Sequence, residues 1–144
     1  MIKSYRGLIA DGTQDTIPLH TNDGKTGYKI VKFELMANDP SGDNAENVIE
    51  IWKVKQNMAT LTDKIDFTQT TLLAAGYVEN HAGEDSPMSI SIMFDNEVFN
   101  QDIYVTNVAG LGSTGVNYYI ELEQISLTED QALVAIVKNL RNEQ

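Results

Sequence analysis

The chain contains no cysteine, only three prolines, and 10 Lys+Arg against 21 Asp+Glu in 144 residues. Without cysteine there is no disulfide framework, no thiolate nucleophile and no Cys-ligated zinc site. The shortage of cations leaves a formal charge of −11. That balance argues against nucleic acid as a partner, because phosphate binding needs clustered Lys and Arg. Long apolar runs are missing as well. No stretch approaches the ~20 residues that span a bilayer, and the segment from Met1 to Ala10 lacks an apolar core of signal-peptide length. The expectation is a protein made and kept in a cytoplasm, with neither nucleic acid nor a membrane as partner. At this length one domain is expected, occupying residues 1–144, with a core sufficient to fold unaided.

What is present is strand patterning. In Met88–Phe94, residues Met88, Ile90, Ile92 and Phe94 share one face and Ser89 and Ser91 the other, so one face is predicted in a core and one in water. Val31, Phe33 and Leu35 are predicted inward by the same rule, with Lys32 and Glu34 outward. Between Val48 and Lys55 both faces are partly apolar, which predicts a central strand or one covered on both sides. Val116, Tyr118, Ile120 and Leu122 alternate with Asn117, Glu121 and Glu123, and the phase slips at Ile125 and Leu127, predicting a bulge or strand end near Gln124. Asp11-Gly12 and Asp23-Gly24 separate the first three runs as hairpin turns, which predicts a meander. Asn38–Asn44 and His81–Pro87 read as polar loops. Strands so spaced, with no helix between them, point to an antiparallel β-sandwich.

The C-terminus reads differently. Thr128-Glu129-Asp130-Gln131 has the form of a capping box, and Leu133, Ile136, Val137 and Leu140 follow as one apolar stripe. Lys138 and Arg141 lie in the last turns, where cations suit the helix dipole. A helix at about 129–141 is predicted, its stripe covered by the chain's own sandwich.

No catalytic, cofactor-binding or metal-ligating set emerges. Gly110-Leu111-Gly112-Ser113-Thr114-Gly115 matches G-x-G-x-x-G, but a strand pattern follows it where a dinucleotide site needs a helix, so a strand-to-strand loop is predicted. The loop Asp39–Glu46 has oxygen ligands enough for calcium but fails EF-hand spacing. His20 and His81 have no His or Cys companion at metal-ligand spacing, and Ser113 lacks a nucleophile-elbow context. Both histidines are read as surface residues. Glu121 and Glu123 share a strand face and Glu84-Asp85 lie in a loop, without a sugar-binding cleft around them. Trp52 and Tyr119 fall off the core phase, facing either a covered second side of the sheet or a partner. The surplus carboxylates, as at Glu34, Asp39, Asp43, Glu84 and Glu121, map to outward faces and loops.

Tyr5-Arg6-Gly7-Leu8-Ile9-Ala10-Asp11-Gly12, Gly27–Phe33, Glu97–Tyr104, and Asn117–Glu123 leading into Ala132-Leu133 and Lys138–Asn142 together resemble a family of small virion proteins from marine tailed bacteriophages. The likeness covers most of the chain, and least of it between about Asn57 and Pro87. It implies a structural protein of the particle, of the head-decoration or cement type. Such proteins are often compact β-sandwiches, some of jelly-roll type, which implies a homo-oligomer binding the major capsid protein or other virion proteins, with no enzymatic activity and no cofactor. An acidic surface suits the outside of a shell better than its DNA-facing interior. The alternative reading is a glycan- or host-surface-binding module on a tail or head fibre, which needs an exposed aromatic platform at Trp52 or Tyr119.

Overall fold

The alternating runs become strands and the capped stripe becomes a helix. A computed structural model describes residues 1–40, 42, 44–81 and 88–142. In order these form β1 (Ile2–Ile9), β2 (Gln14–Ile17), β3 (Thr26–Ala37), β4 (Ala45–Trp52), β5 (Leu72–Asn80), β6 (Met88–Phe94), β7 (Ile103–Leu111), β8 (Val116–Ser126) and α1 (Glu129–Asn142). The strands make two antiparallel sheets, β1-β8-β3 and β2-β7-β4-β5-β6. Ile9, Phe33, Leu35, Ile120 and Leu122 of the first sheet meet Ile49, Ile51, Leu73, Ile103 and Val105 of the second in one buried core. The expected mainly-β sandwich with a C-terminal helix is the fold of the chain.

Pairing is nested. β1 lies beside β8, β2 beside β7 and β4 beside β5. Tyr28 of β3 exchanges two backbone hydrogen bonds with Phe99, which follows β6, at 2.7 and 2.9 Å. The first half of the chain therefore runs back along the second, like a long hairpin rolled over on itself.

This nesting overturns the expected meander. The Asp-Gly pairs do turn the chain, with φ of 73° at Gly12 and 64° at Gly24, values at home in glycine. Yet β1 and β2 enter different sheets, and β8 separates β1 from β3. The first corner is fastened to β7 instead. Gly12 N donates to Asn107 O at 2.8 Å, and Ala109 N donates to Asp11 Oδ1 at 2.8 Å. Local turn chemistry fixes a corner, while the partners of the flanking strands come from the far end of the chain.

Two further strand expectations change. Val31 is exposed rather than inward, because β3 bulges between Ile30 and Lys32 and resets the phase. The bulge or strand end expected near Gln124 is not found there: the register shift lies in β3 opposite Glu121 and Leu122, Gln124 pairs with Tyr28, and β8 runs on to Ser126. In β6 the alternation holds, but Ile90 and Phe94 stay exposed while Ile92 is partly buried against the core. β6 is the edge of a five-stranded sheet facing a three-stranded one, so its apolar side overhangs.

β4 is the middle strand of its sheet, as its two-sided apolarity predicted. Ile49 and Ile51 enter the core, whereas Glu50 and Trp52 face the cavity formed under residues 56–69. Gln14 anchors this cover: its Nε2 donates to Gln56 O and its Oε1 accepts from Gln56 N, at 3.1 and 2.8 Å. Polar clamps also join the sheets. Asn107 Nδ2 donates to Ile9 O at 2.9 Å, its Oδ1 accepts from Asn47 Nδ2 at 3.0 Å, and Tyr118 Oη donates to Asp15 at 2.9 Å.

The helix forms with its capping box in place: Thr128 N donates to Gln131 Oε1 at 2.9 Å and Gln131 N donates to Thr128 Oγ1 at 3.2 Å. It is not long and apolar enough to cross a membrane. Its stripe is not covered as expected. Ile136 packs at the Gly24 corner, but Leu133 and Val137 are 61% and 50% exposed, as is the neighbouring Val134 at 53%, while the Leu140 side chain lies outside the described ones.

Candidate functional site

Three places carry more chemistry or apolar surface than the fold requires. The first is the surface left open by α1. Val98, Ile125 and Leu127 face Val134 and Ala135 across a groove of about 520 Å³, with Glu97, Gln131 and Lys138 at its polar margins. Three exposed apolar side chains on one short helix are a contiguous feature, unlike the singly scattered apolar residues of an ordinary surface.

The second is the cavity outside the five-stranded sheet. It measures about 320 Å³ and is lined by Glu50, Trp52, Gln56, Asn57, Thr60 and Lys64, among others. Glu50 is 1% exposed, and its Oε1 has no hydrogen-bond partner. Burial pushes its carboxyl up to about 7. Trp52 lines the same cavity from within the protein. It is 5% exposed and donates Nε1–H to Thr106 Oγ1 at 3.1 Å.

The third is built by strand register. Glu46 of β4 stands directly opposite Glu79 of β5, and His81 follows two residues later on the same side. His81 Nε2 lies 2.8 Å from Glu79 Oε1 and 3.2 Å from Glu46 Oε1. One ligand atom from each residue falls within 4.8 Å of the others, and all three side chains are half-buried. Tyr77 lies on the same face of β5. Its hydroxyl is pushed up by burial and then by the charges of Glu46, Glu79 and Asp63.

No family model matches the chain, and no curated protein matches it.

The residues singled out by sequence divide accordingly. His81 gains two carboxylate neighbours that spacing along the chain could not show, since Glu46 lies 35 positions away. His20 Nδ1 meets Asp102 Oδ1 at 2.6 Å at an exposed position. Burial works against the charge on Asp102, but hydrogen bonds from the His20 ring and from the His20 and Leu19 amides hold its carboxyl below the usual range. Among the described residues no hydroxyl joins either ring. The second side of the sheet at Trp52 is covered. Tyr119 stands outside, with Lys32 Nζ 5.9 Å from its ring centre and its hydroxyl donated to Glu121 at 3.0 Å. Glu121 and Glu123 share one partly exposed face.

Gly110 and Leu111 end β7, and Gly112 to Gly115 join it to β8 as a strand-to-strand loop, with Gly112 at φ 74°. Ser41 and Asp43 of the acidic loop lie outside the described residues, as do Glu84 and Asp85. Sequence reasoning missed Glu50 and Glu79, and named Glu46 only among the oxygen ligands of the Asp39–Glu46 loop. The available signal was Glu50 within a strand apolar on both faces, a polar residue where burial was already predicted.

Proposed function

We propose that this chain is a structural protein of a bacteriophage particle, of the decoration or cement type, acting by contact with the major capsid protein or other virion proteins and with copies of itself. The observation that carries the reading is the uncovered apolar surface of Leu133, Val134 and Val137 beside the Val98–Leu127 groove. A chain of charge −11 gains solubility from its carboxylates, and an exposed apolar patch within such a surface marks a contact with another protein. The nested pairing of β1 with β8, β2 with β7 and β4 with β5 is compatible with the same reading, since nested pairing also characterises the jelly rolls common among viral capsid domains, although β6 here lies beside β5 and not β3. That support is analogy of fold, and fold alone does not fix function. The glycan-binding alternative loses its best platform, since Trp52 is buried and its indole N–H is already donated.

The test is mass spectrometry of purified particles from cells making this protein. The chain is expected in many copies per particle, and its absence from the particles overturns the reading.

A further inference from the structure

We infer that Glu46, Glu79 and His81 form a binding site for a first-row divalent cation of the zinc type, which pins the start of β4 to the end of β5. The register itself creates the need. Asn47, Ile49 and Ile51 alternate with Glu46 and Glu50 and pair with Val78, Gly76 and Ala74, so core packing holds Glu46 opposite Glu79. Like charges directly opposed on neighbouring strands destabilise the pair. They cannot separate without a register slip that would turn the core face outward.

His81 only partly answers that repulsion. Its Nε2 approaches both carboxylates, at 2.8 and 3.2 Å, but one ring nitrogen carries at most one proton. Two anionic acceptors therefore share a single donor. A divalent cation in its place engages the imidazole lone pair and both carboxylates at once.

The distances suit such an ion. Ligand bonds of 2.0–2.2 Å in a tetrahedral site put neighbouring donor atoms about 3.4 Å apart. The separations of 2.8 and 3.2 Å would open towards that value around an ion, and no pair of donor atoms exceeds 4.8 Å. Side-chain exposures of 20% for His81, 33% for Glu46 and 38% for Glu79 leave a route in and a fourth position for water. The donor set chooses the metal. Calcium and magnesium take all-oxygen shells, whereas one imidazole nitrogen with two carboxylates suits zinc and its first-row neighbours.

The experiment is calorimetric titration of chelator-treated full-length protein with zinc chloride, with thermal melts in parallel. One ion per chain is expected to bind and to raise Tm by several degrees. Glu79→Gln and His81→Asn are each expected to weaken binding at least ~10-fold, in line with losing one of three ligands. His20→Asn, at the other histidine, leaves binding unchanged. Glu79→Gln removes the repulsion and keeps the fold, which circular dichroism checks, so lost binding in that variant cannot be ascribed to unfolding. In the wild type, zinc shifts the ring resonances of His81 and not those of His20. The inference fails if the wild type takes up no stoichiometric zinc, or if both ligand variants bind as tightly as the wild type.

Discussion

Replacing Glu50 by Gln isolates the cost of holding a carboxyl inside this sandwich. Burial raises Glu50 from its ordinary 4.5 to about 7, so the folded state binds this proton more tightly than the unfolded state does. The protonated form contributes stability that is fully present below about 4.5 and is lost as pH rises through about 7. Each pH unit between the two values is worth ~1.4 kcal/mol, so the full loss is about 3 kcal/mol. At pH 5.5 only about 1 kcal/mol of it has been incurred, and by pH 8.5 nearly all has. Gln has the same shape and no charge, so it escapes this pH dependence. Its amide needs partners of its own, but that shifts the variant's curve by an amount independent of pH. The expected result is that Glu50→Gln gains about 2 kcal/mol relative to the wild type between pH 5.5 and pH 8.5. For a domain of this size that corresponds to roughly 6 °C in Tm. Urea unfolding followed by Trp52 fluorescence is the assay, because the chain has one tryptophan and it lines the same cavity. A difference between the two proteins that stays flat with pH, or that moves against the variant as pH rises, refutes the account of Glu50.

Three other variants test the fold and the contact surface. Asn107→Ala removes the acceptor of Asn47 and the donor to Ile9 O; chemical denaturation is expected to show a loss of ~3 kcal/mol from buried groups left unpaired. Gly76→Ala drives a Cβ into the Leu35 side chain across the two sheets, costing about 1–3 kcal/mol; Leu35→Val in the same chain is expected to recover most of it, measured as a double-mutant cycle. Leu133→Lys with Val137→Lys alters only exposed positions, so stability should stay within ~0.5 kcal/mol while incorporation into particles, read by mass spectrometry, falls.

The parts of the fold legible in the sequence were those set by local rules. The Thr128–Gln131 capping box formed with both of its hydrogen bonds, and the alternation of Val116 to Leu122 became the buried face of β8. Two-sided apolarity placed β4 at the centre of its sheet. What failed was non-local. Asp-Gly pairs announce a turn, but whether the next strand folds back or crosses to the other sheet depends on residues about 95 positions away, such as Asn107 and Ala109 against Gly12 and Asp11. Val31 turned outward because of a bulge that only its partner strand reveals. The helix stripe had the right period, yet a period cannot say how much of a neighbour lies beneath it. The His81 cluster was invisible for the same reason, since Glu46 reaches it only through the pairing of β4 with β5.

The outward row of β4 alternates Glu46, Val48, Glu50 and Trp52, and three of these four are buried with Glu46 half so. A sequence selected for the sandwich alone would place apolar residues in such a row, because each buried carboxyl without a full set of partners costs stability. Departures from local consistency concentrate where a protein does something besides fold. Here the two departures are physically separable. Glu50 Oε1 has no hydrogen-bond partner and burial is what raises its carboxyl, so neutralising it is a gain at alkaline pH. Glu46 is opposed by a second carboxylate and met by an imidazole, so neutralising Glu79 relieves repulsion and abolishes a coordination site together. Stability measured with and without zinc distinguishes the cases. For Glu50→Gln the gain should be the same in both conditions. For Glu79→Gln the variant should be more stable than the wild type in chelator and less stable once zinc is present. That reversal of order is the signature of a carboxylate kept for a bound cation and not for the sheet.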